Sequence, residues 1–142
     1  MVCIVARKDI SRELKALVKI LTEKYTDIKS LILNINPDKT NVILGKKCIT
    51  LAGNDFIIDT MCGKTIEISP LSFYQVNTSQ AEKLYSIAEE YAQLNNDMCI
   101  CDLYCGAGTI GLSMSDKVKK LIGIEIVPQA IENAKKNAAY NN

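Results

Sequence analysis

The side chains best suited by type and spacing to do chemistry lie in the run Asp102-Leu103-Tyr104-Cys105-Gly106-Ala107-Gly108-Thr109-Ile110-Gly111. An apolar stretch, Met98–Tyr104, reads as a strand that feeds a glycine-rich turn over Cys105–Thr109, and a short helix follows to about Ser115. Glycines in such a turn let a ligand approach the backbone where side chains would block it. The helix behind the turn leaves its first amides free. About twenty residues on, a second strand, Val118–Glu125, ends in an acid, where a carboxylate can accept hydrogen bonds from both hydroxyls of a ribose. A strand of Leu121-Ile122-Gly123-Ile124 closing on a carboxylate is unusual packing, which favours a binding role for Glu125. A glycine turn paired with a distant acid is nucleoside-binding logic.

Two cofactors fit it. Gly106-x-Gly108-x-x-Gly111 satisfies the G-x-G-x-x-G pattern of a dinucleotide-binding fold, so a nicotinamide cofactor has to be weighed. Upstream, Asp102 and Tyr104 complete D-x-[FY]-x-G-x-G, the form of the loop that holds S-adenosylmethionine and houses no pyrophosphate. A glycine-rich β–α turn also occurs with no ligand at all. The neighbouring cysteines invite a different reading. Six stand at 3, 48, 62, 99, 101 and 105. Cys99, Cys101 and Cys105 have metal-like spacing, but the first two alternate with apolar residues in the expected strand and the chain has no histidine. Buried structural cysteines without a metal are the expectation.

The elements that must position the turn follow from periodicity. Residues 8–25 read as an amphipathic helix with Ile10, Leu14, Leu17, Val18 and Leu21 on one face. Strands are expected at Ser30–Asn36, Asn41–Leu44, Lys47–Leu51, Phe56–Thr60 and Thr65–Ile68, separated by Asn36-Pro37-Asp38-Lys39, Gly53-Asn54-Asp55 and Gly63-Lys64. One helix and about five short strands imply a small α+β domain over 1–69. The texture changes at Ser69-Pro70. Thr78–Leu94 reads as a second helix with Ala81, Leu84, Tyr85, Ala88 and Tyr91 on one stripe, and Ser79 with Glu82 has capping-box spacing. With Pro128 opening a last helix, residues 70–142 read as helix–β–α–β–α, the start of a doubly wound parallel sheet. The fold class is therefore α/β: a small α+β domain, then the first β-α-β-α units of a Rossmann-like fold.

Composition limits what else the chain can be. Net charge is +1, with 11 basic and 8 acidic residues before Ser72 and 6 and 8 from it onward. That mild asymmetry permits RNA contact by the first part without demanding it. No apolar run approaches the roughly 18 residues that would span a bilayer, and Met1-Val2-Cys3-Ile4-Val5 lacks the character of a signal peptide. A cytoplasmic protein with no membrane partner is expected.

Three motifs taken together resemble a known family. Ser69-Pro70-Leu71-Ser72-Phe73-Tyr74-Gln75-Val76-Asn77, Asp102-Leu103-Tyr104-Cys105-Gly106 and Gly123-Ile124-Glu125-Ile126-Val127-Pro128 resemble RNA (uracil-5-)-methyltransferases of the RumA/TrmA type in order and spacing. Asn34-Ile35-Asn36-Pro37 and Thr40-Asn41-Val42-Ile43-Leu44-Gly45 resemble the central domain of the same enzymes, so the likeness covers essentially the whole chain. It implies a class I methyltransferase fold, S-adenosylmethionine as cofactor, and rRNA or tRNA as substrate. Gln75, Tyr104, Gly106 and Glu125 are the implied cofactor contacts. Phe73 and Tyr74 are either base contacts or, more in keeping with their type, packing residues.

The implied mechanism is attack of a cysteine thiolate on C6 of uracil, methylation at C5, and removal of the C5 proton by a base. In the family those two groups follow the helix in which this sequence ends, so no catalytic residue is expected before Asn142. Cys105 sits in the cofactor motif, the wrong place for that nucleophile. The chain thus reads as an inactive internal piece of a longer enzyme, whose second half, with an open sheet edge and uncovered faces, is expected to be either partly disordered or buried through self-association. A dinucleotide-dependent oxidoreductase and a non-catalytic RNA-binding module are the competing readings.

Overall fold

The computed structural model describes residues 1–39 and 41–141; Thr40, part of the Thr40–Gly45 motif, and Asn142 lie outside the described residues. The chain starts as a strand rather than a helix. β1 (Val2–Ala6) pairs in parallel with β2 (Ser30–Ile35), Val2 opposite Leu31 and Ala6 opposite Ile35, through the crossover helix α1 (Lys15–Lys24). On its other edge β2 pairs antiparallel with β3 (Lys47–Gly53), Ile35 opposite Lys47. The sheet order is β1-β2-β3. Leu31, Ile32 and Leu33 are all 0% exposed, so both faces of the central strand are covered, as a parallel-paired strand requires.

Two expectations for this unit need correction. The first helix begins at Lys15 and not near Lys8, because the Asp9 carboxylate accepts from the Ser11 N–H (2.9 Å) and hydroxyl (2.6 Å) and holds a local turn. Asn41–Leu44 forms no strand. The backbone there is claimed by side chains: Asn36 Nδ2 donates to the carbonyls of Val42 (2.7 Å) and Ile43 (2.9 Å). Fully buried Asn34 donates to the Gly45 carbonyl (2.8 Å) and accepts from the Gly45 N–H (2.7 Å), pairing with it as a strand residue would. A Cβ on Gly45 would lie 2.0 Å from the Ile35 carbonyl oxygen, so only glycine closes this contact.

Beyond it, β4 (Ile57–Met61) and β5 (Lys64–Ile68) form a hairpin whose two turn residues, Cys62 (φ 51°) and Gly63 (φ 72°), both have positive φ, the type I′ geometry that suits strand twist. Glu82 of α2 (Thr78–Ala92) accepts from the Cys62 N–H at 2.7 Å. Glu82 therefore serves the hairpin and not a capping box; the cap is Asn77, which accepts from the Gln80 N–H. The stripe expected on α2 is also narrower, with Ala81 and Tyr85 buried but Leu84 and Tyr91 exposed. Met61, Ile66, Ala81, Tyr85 and Leu112 make the core.

β6 (Cys99–Asp102), α3 (Thr109–Ser113), β7 (Lys120–Gly123) and α4 (Pro128–Tyr140) complete this unit as a β-α-β-α run. β6 and β7 pair in parallel, Cys99 opposite Lys120 and Asp102 opposite Gly123, and Pro128 occupies the first turn of α4. Cys99 and Cys101, expected to be buried, are exposed: they lie on one face of a two-stranded ribbon that nothing covers among the described residues.

The contacts divide the chain into 1–57 with 69–71, and 58–68 with 72–142, in place of the expected 1–69 and 70–142. The hairpin belongs with the later residues because α4 clamps its edge. Asn141 accepts from the Thr65 N–H (2.9 Å) and donates to the Thr65 carbonyl (2.8 Å). One turn earlier, Asn137 accepts from the Glu67 N–H (2.7 Å) and donates to the Glu67 carbonyl (3.3 Å). Alternate strand residues aim their backbone groups at the same edge, so two carboxamides four apart replace a neighbouring strand. The Glu67 side chain, 2% exposed, accepts from Lys136 Nζ (2.7 Å) and the Tyr140 hydroxyl (3.0 Å).

Candidate functional site

Past the ends of β6 and β7 the parallel pairing continues, with the Ile124 N–H donating to the Asp102 carbonyl (2.8 Å) and the Cys105 N–H donating to the Ile124 carbonyl (3.1 Å). That ladder carries the glycine turn and Glu125 to the same end of the ribbon. The turn is closed by the Gly108 N–H donating to the Cys105 carbonyl at 2.7 Å. Gly106 (φ 53°) and Gly108 (φ 84°) both adopt the left-handed conformation, which side chains resist. Gly108 then caps α3 with no side chain in the way.

Across from the turn, Glu125 Oε2 accepts from the Gly106 N–H at 3.1 Å, while Oε1 accepts from the N–H groups of Ile126 (2.8 Å) and Val127 (2.9 Å). These bonds, Val127 foremost, hold the carboxyl below its ordinary range. A carboxylate has about four lone-pair sites and three are taken here. One ribose hydroxyl can join as the structure stands; a second has to displace the Gly106 N–H. A Cβ at Gly106 would meet nothing within 4 Å, so the outer side of the turn is open. Tyr104 stands beside it, 90% exposed.

Asp102 completes the arrangement from below. Its Oδ2 is buried and has no hydrogen-bond partner among the described residues. An orphaned buried carboxylate oxygen is costly and points to a partner still to be supplied. The open glycine cradle, the half-buried acceptor and this orphan together fit a polar nucleoside-bearing cofactor. A cavity of about 240 Å³ lined by Asp102, Cys105, Gly108, Leu112, Leu121 and Ala134 adjoins the turn, but Gly106 and Glu125 do not line it. It falls short of the roughly 300 Å³ at which small-molecule pockets begin, and the open face of the turn is the better seat.

Of the expected contacts, the structure joins Gly106 to Glu125 and sets Tyr104 two residues upstream. Gln75 lies in the segment before α2, half-buried and with no hydrogen bond to the turn. That segment is tethered just before it: Asn133 Nδ2 donates to Ser72 Oγ, and the Tyr74 hydroxyl donates to Asp59 Oδ2 at 2.9 Å. Burial, with the Asp59 contact, pushes the Tyr74 phenol up to about 12. Tyr74 is thus a tether, whereas Phe73 is 77% exposed and packs into neither core. Cys105 is buried, and its thiol is raised by that burial and by Asp102 and Glu125, which keeps it protonated and a poor nucleophile. Among the described residues no group of three His, Cys, Asp or Glu side chains is placed to hold a metal ion, and no helix is long and apolar enough to cross a membrane.

One residue at the site escapes sequence reasoning. Asn137, 0% exposed, also donates to the Ala107 carbonyl at 3.0 Å, in the middle of the glycine turn. The available signal was Asn133, Asn137 and Asn141 at spacings of four, a carboxamide stripe on one helical face.

Comparison with known proteins bears on the cofactor question. A methyltransferase-domain family matches residues 94–142. Over 97% of its length the chain is 49% identical to an uncharacterized RNA methyltransferase of Lactococcus lactis, and over 89% it is 52% identical to one of Clostridium tetani. It spans about 30% of the length of these relatives. Among solved structures, it is similar to the Pyrococcus abyssi tRNA (uracil-54, C5)-methyltransferase in complex with S-adenosyl-L-homocysteine, at TM-score 0.68 and 27% identity, covering 85% of this chain and 30% of that one. The tRNA m1G37 methyltransferase of M. jannaschii, 18% identical with TM-score 0.58, shares the fold. The family resemblance and the mixed α/β, Rossmann-like fold read from the sequence both hold.

Proposed function

From this likeness to RNA methyltransferases along nearly the whole chain, we propose that it is the cofactor-turn segment of an S-adenosylmethionine-dependent enzyme that methylates C5 of a uridine in RNA. One observation carries the reading: the Gly106 amide and the Glu125 carboxylate face each other at 3.1 Å across the ends of two parallel strands. The cofactor supplies the methyl group when bound. Glu125 accepts from its ribose, Gly106 and Gly108 leave the backbone open to it, and Tyr104 offers an exposed ring beside it. Gln75 closes the site from the tethered segment before α2. Cys105, buried and protonated, is a poor nucleophile, and the reading assigns nucleophile and base to other parts of the enzyme. An rRNA or tRNA target implies work in the cytoplasm.

Calorimetric titration of the chain with S-adenosylhomocysteine and, separately, NAD tests this. Selective S-adenosylhomocysteine binding that Glu125→Ala abolishes is expected; selective NAD binding would overturn the methyltransferase reading. The dinucleotide alternative draws no support from the named relatives. The uncovered face of β6 and β7, with Ile122 of β7 38% exposed and Ile124 just beyond it 50% exposed, supports self-association of the isolated chain. Concentration-independent sedimentation as a monomer would remove that proposal.

A further inference from the structure

One carbonyl of the glycine turn takes its partner from a distant side chain. The Cys105 carbonyl is taken by the Gly108 N–H within the turn, and the Gly108 carbonyl by the Leu112 N–H of the helix that follows it. The Ala107 carbonyl, between the two positive-φ glycines, is taken by Asn137 Nδ2. That carboxamide is filled: one N–H goes to Ala107, the other to the Glu67 carbonyl, and its oxygen accepts from the Glu67 N–H. It is wholly buried, so no water competes for these bonds.

A glycine turn needs such a hold. Gly106 and Gly108 lose more conformational freedom on ordering than other residues do, and their peptide planes rotate readily. Turning the Ala107–Gly108 peptide would swing the Ala107 carbonyl and the Gly108 N–H together, because the peptide is planar. Fixing the carbonyl therefore fixes the amide that opens α3. Asn141, one helical turn further on, makes the same pair of bonds to Thr65 but has none to the turn.

We infer that Asn137 is a positioning residue for the cofactor turn, coupling it to the edge of β5 through a single carboxamide. The inference rests on the cofactor reading proposed above for what the turn binds, but not for whether Asn137 orders it. Asn141 supplies the control: its carboxamide makes the same pair of strand bonds and a third to the Asn137 main-chain carbonyl (2.7 Å), and none to the turn.

The test uses the full chain in three forms: unaltered, Asn137→Ala and Asn141→Ala. Amide hydrogen exchange by NMR is read at Gly106 and Gly108. Asn137→Ala is expected to speed exchange at both about tenfold, the equivalent of losing one buried hydrogen bond. Asn141→Ala is expected to leave them unchanged while exposing Thr65. Equal turn exchange in the two variants overturns the inference. If Asn137→Ala does not fold, Asn137→Ser, whose side chain is shorter, takes its place with the same criteria. S-adenosylhomocysteine titration separates the two ideas: weakening of about tenfold in Asn137→Ala against an unchanged constant in Asn141→Ala supports positioning. No binding by the unaltered chain would count against the cofactor reading and leave exchange to decide on Asn137.

Discussion

Asn34 in residues 1–57 closes on Gly45 and Cys48, with nothing beyond them, whereas Asn137 in the later unit closes on β5 and reaches on to the glycine turn. Each is a fully buried carboxamide standing in for a strand, so the device is shared and its destination differs. The leftovers differ as well. The earlier unit strands a buried hydroxyl, Ser30 Oγ; the later one strands a carboxylate oxygen, Asp102 Oδ2. An unmet hydroxyl costs about 1–3 kcal/mol and an unmet charged group more. A fold tolerates the first as a minor defect. The second, on the strand that leads into an open turn, fits the polar cofactor proposed above.

Breaking that contrast from the stable side should have the largest effect. Ile32→Ala empties a fully buried site in β2 and is expected to cost about 2–5 kcal/mol in urea denaturation. Exchange protection should vanish in β1–β3 while the Gly108 amide keeps its own; loss at both would mean the units share one transition. Asn34→Ala should cost about 1–3 kcal/mol, because the Gly45 N–H and carbonyl are left unpaired, with amide protection lost at Gly45.

On the functional side the effects are smaller and local. Glu125 has a folded pKa below its usual 4.5, so its contribution is present above that value and is lost as pH falls through the lower folded one. A carboxyl carbon titration should give a midpoint below 4.5, with the Gly106 amide shift following the same curve. A midpoint at or above it would break the contact between them. Tyr104→Ala should change stability by no more than about 0.5 kcal/mol, since the ring is almost fully exposed, yet weaken S-adenosylhomocysteine. Unchanged affinity would remove Tyr104 from the site.

Much of this was legible in the sequence where local signals act alone. Pro128 starts α4, Ser30 starts β2, and Gly106 of the glycine turn meets Glu125 across the two strand ends. Legibility failed where a side chain from elsewhere decided the backbone. Asn41–Leu44 has strand-like residues, but Asn36 takes two of its carbonyls. Ser79 and Glu82 have capping spacing, but Glu82 is drawn to Cys62, twenty residues away. β1 is short and its partner lies beyond a whole helix, so nothing near it announces a strand. Asn137 was harder to read for the same reason: the stripe of Asn133, Asn137 and Asn141 marks a polar face of α4, but its partners are non-local carbonyls and amides that spacing does not name.

The carboxamide clamp of α4 on β5 has a built-in length limit. Four helical residues advance about 6.0 Å, whereas two strand residues advance about 6.6 Å, so each rung slips by about half an ångström. Two rungs tolerate that slip like adjacent marks on mismatched rulers. A third would sit further off, and Asn133, where it would fall, turns to Ser72 instead. Inserting or deleting a single residue between Asn137 and Asn141, or between Thr65 and Glu67, would therefore throw both rungs out of step at once. The surface around Glu132 and Lys135 carries no such constraint, so variation in α4 should gather there, with its length over this stretch held fixed.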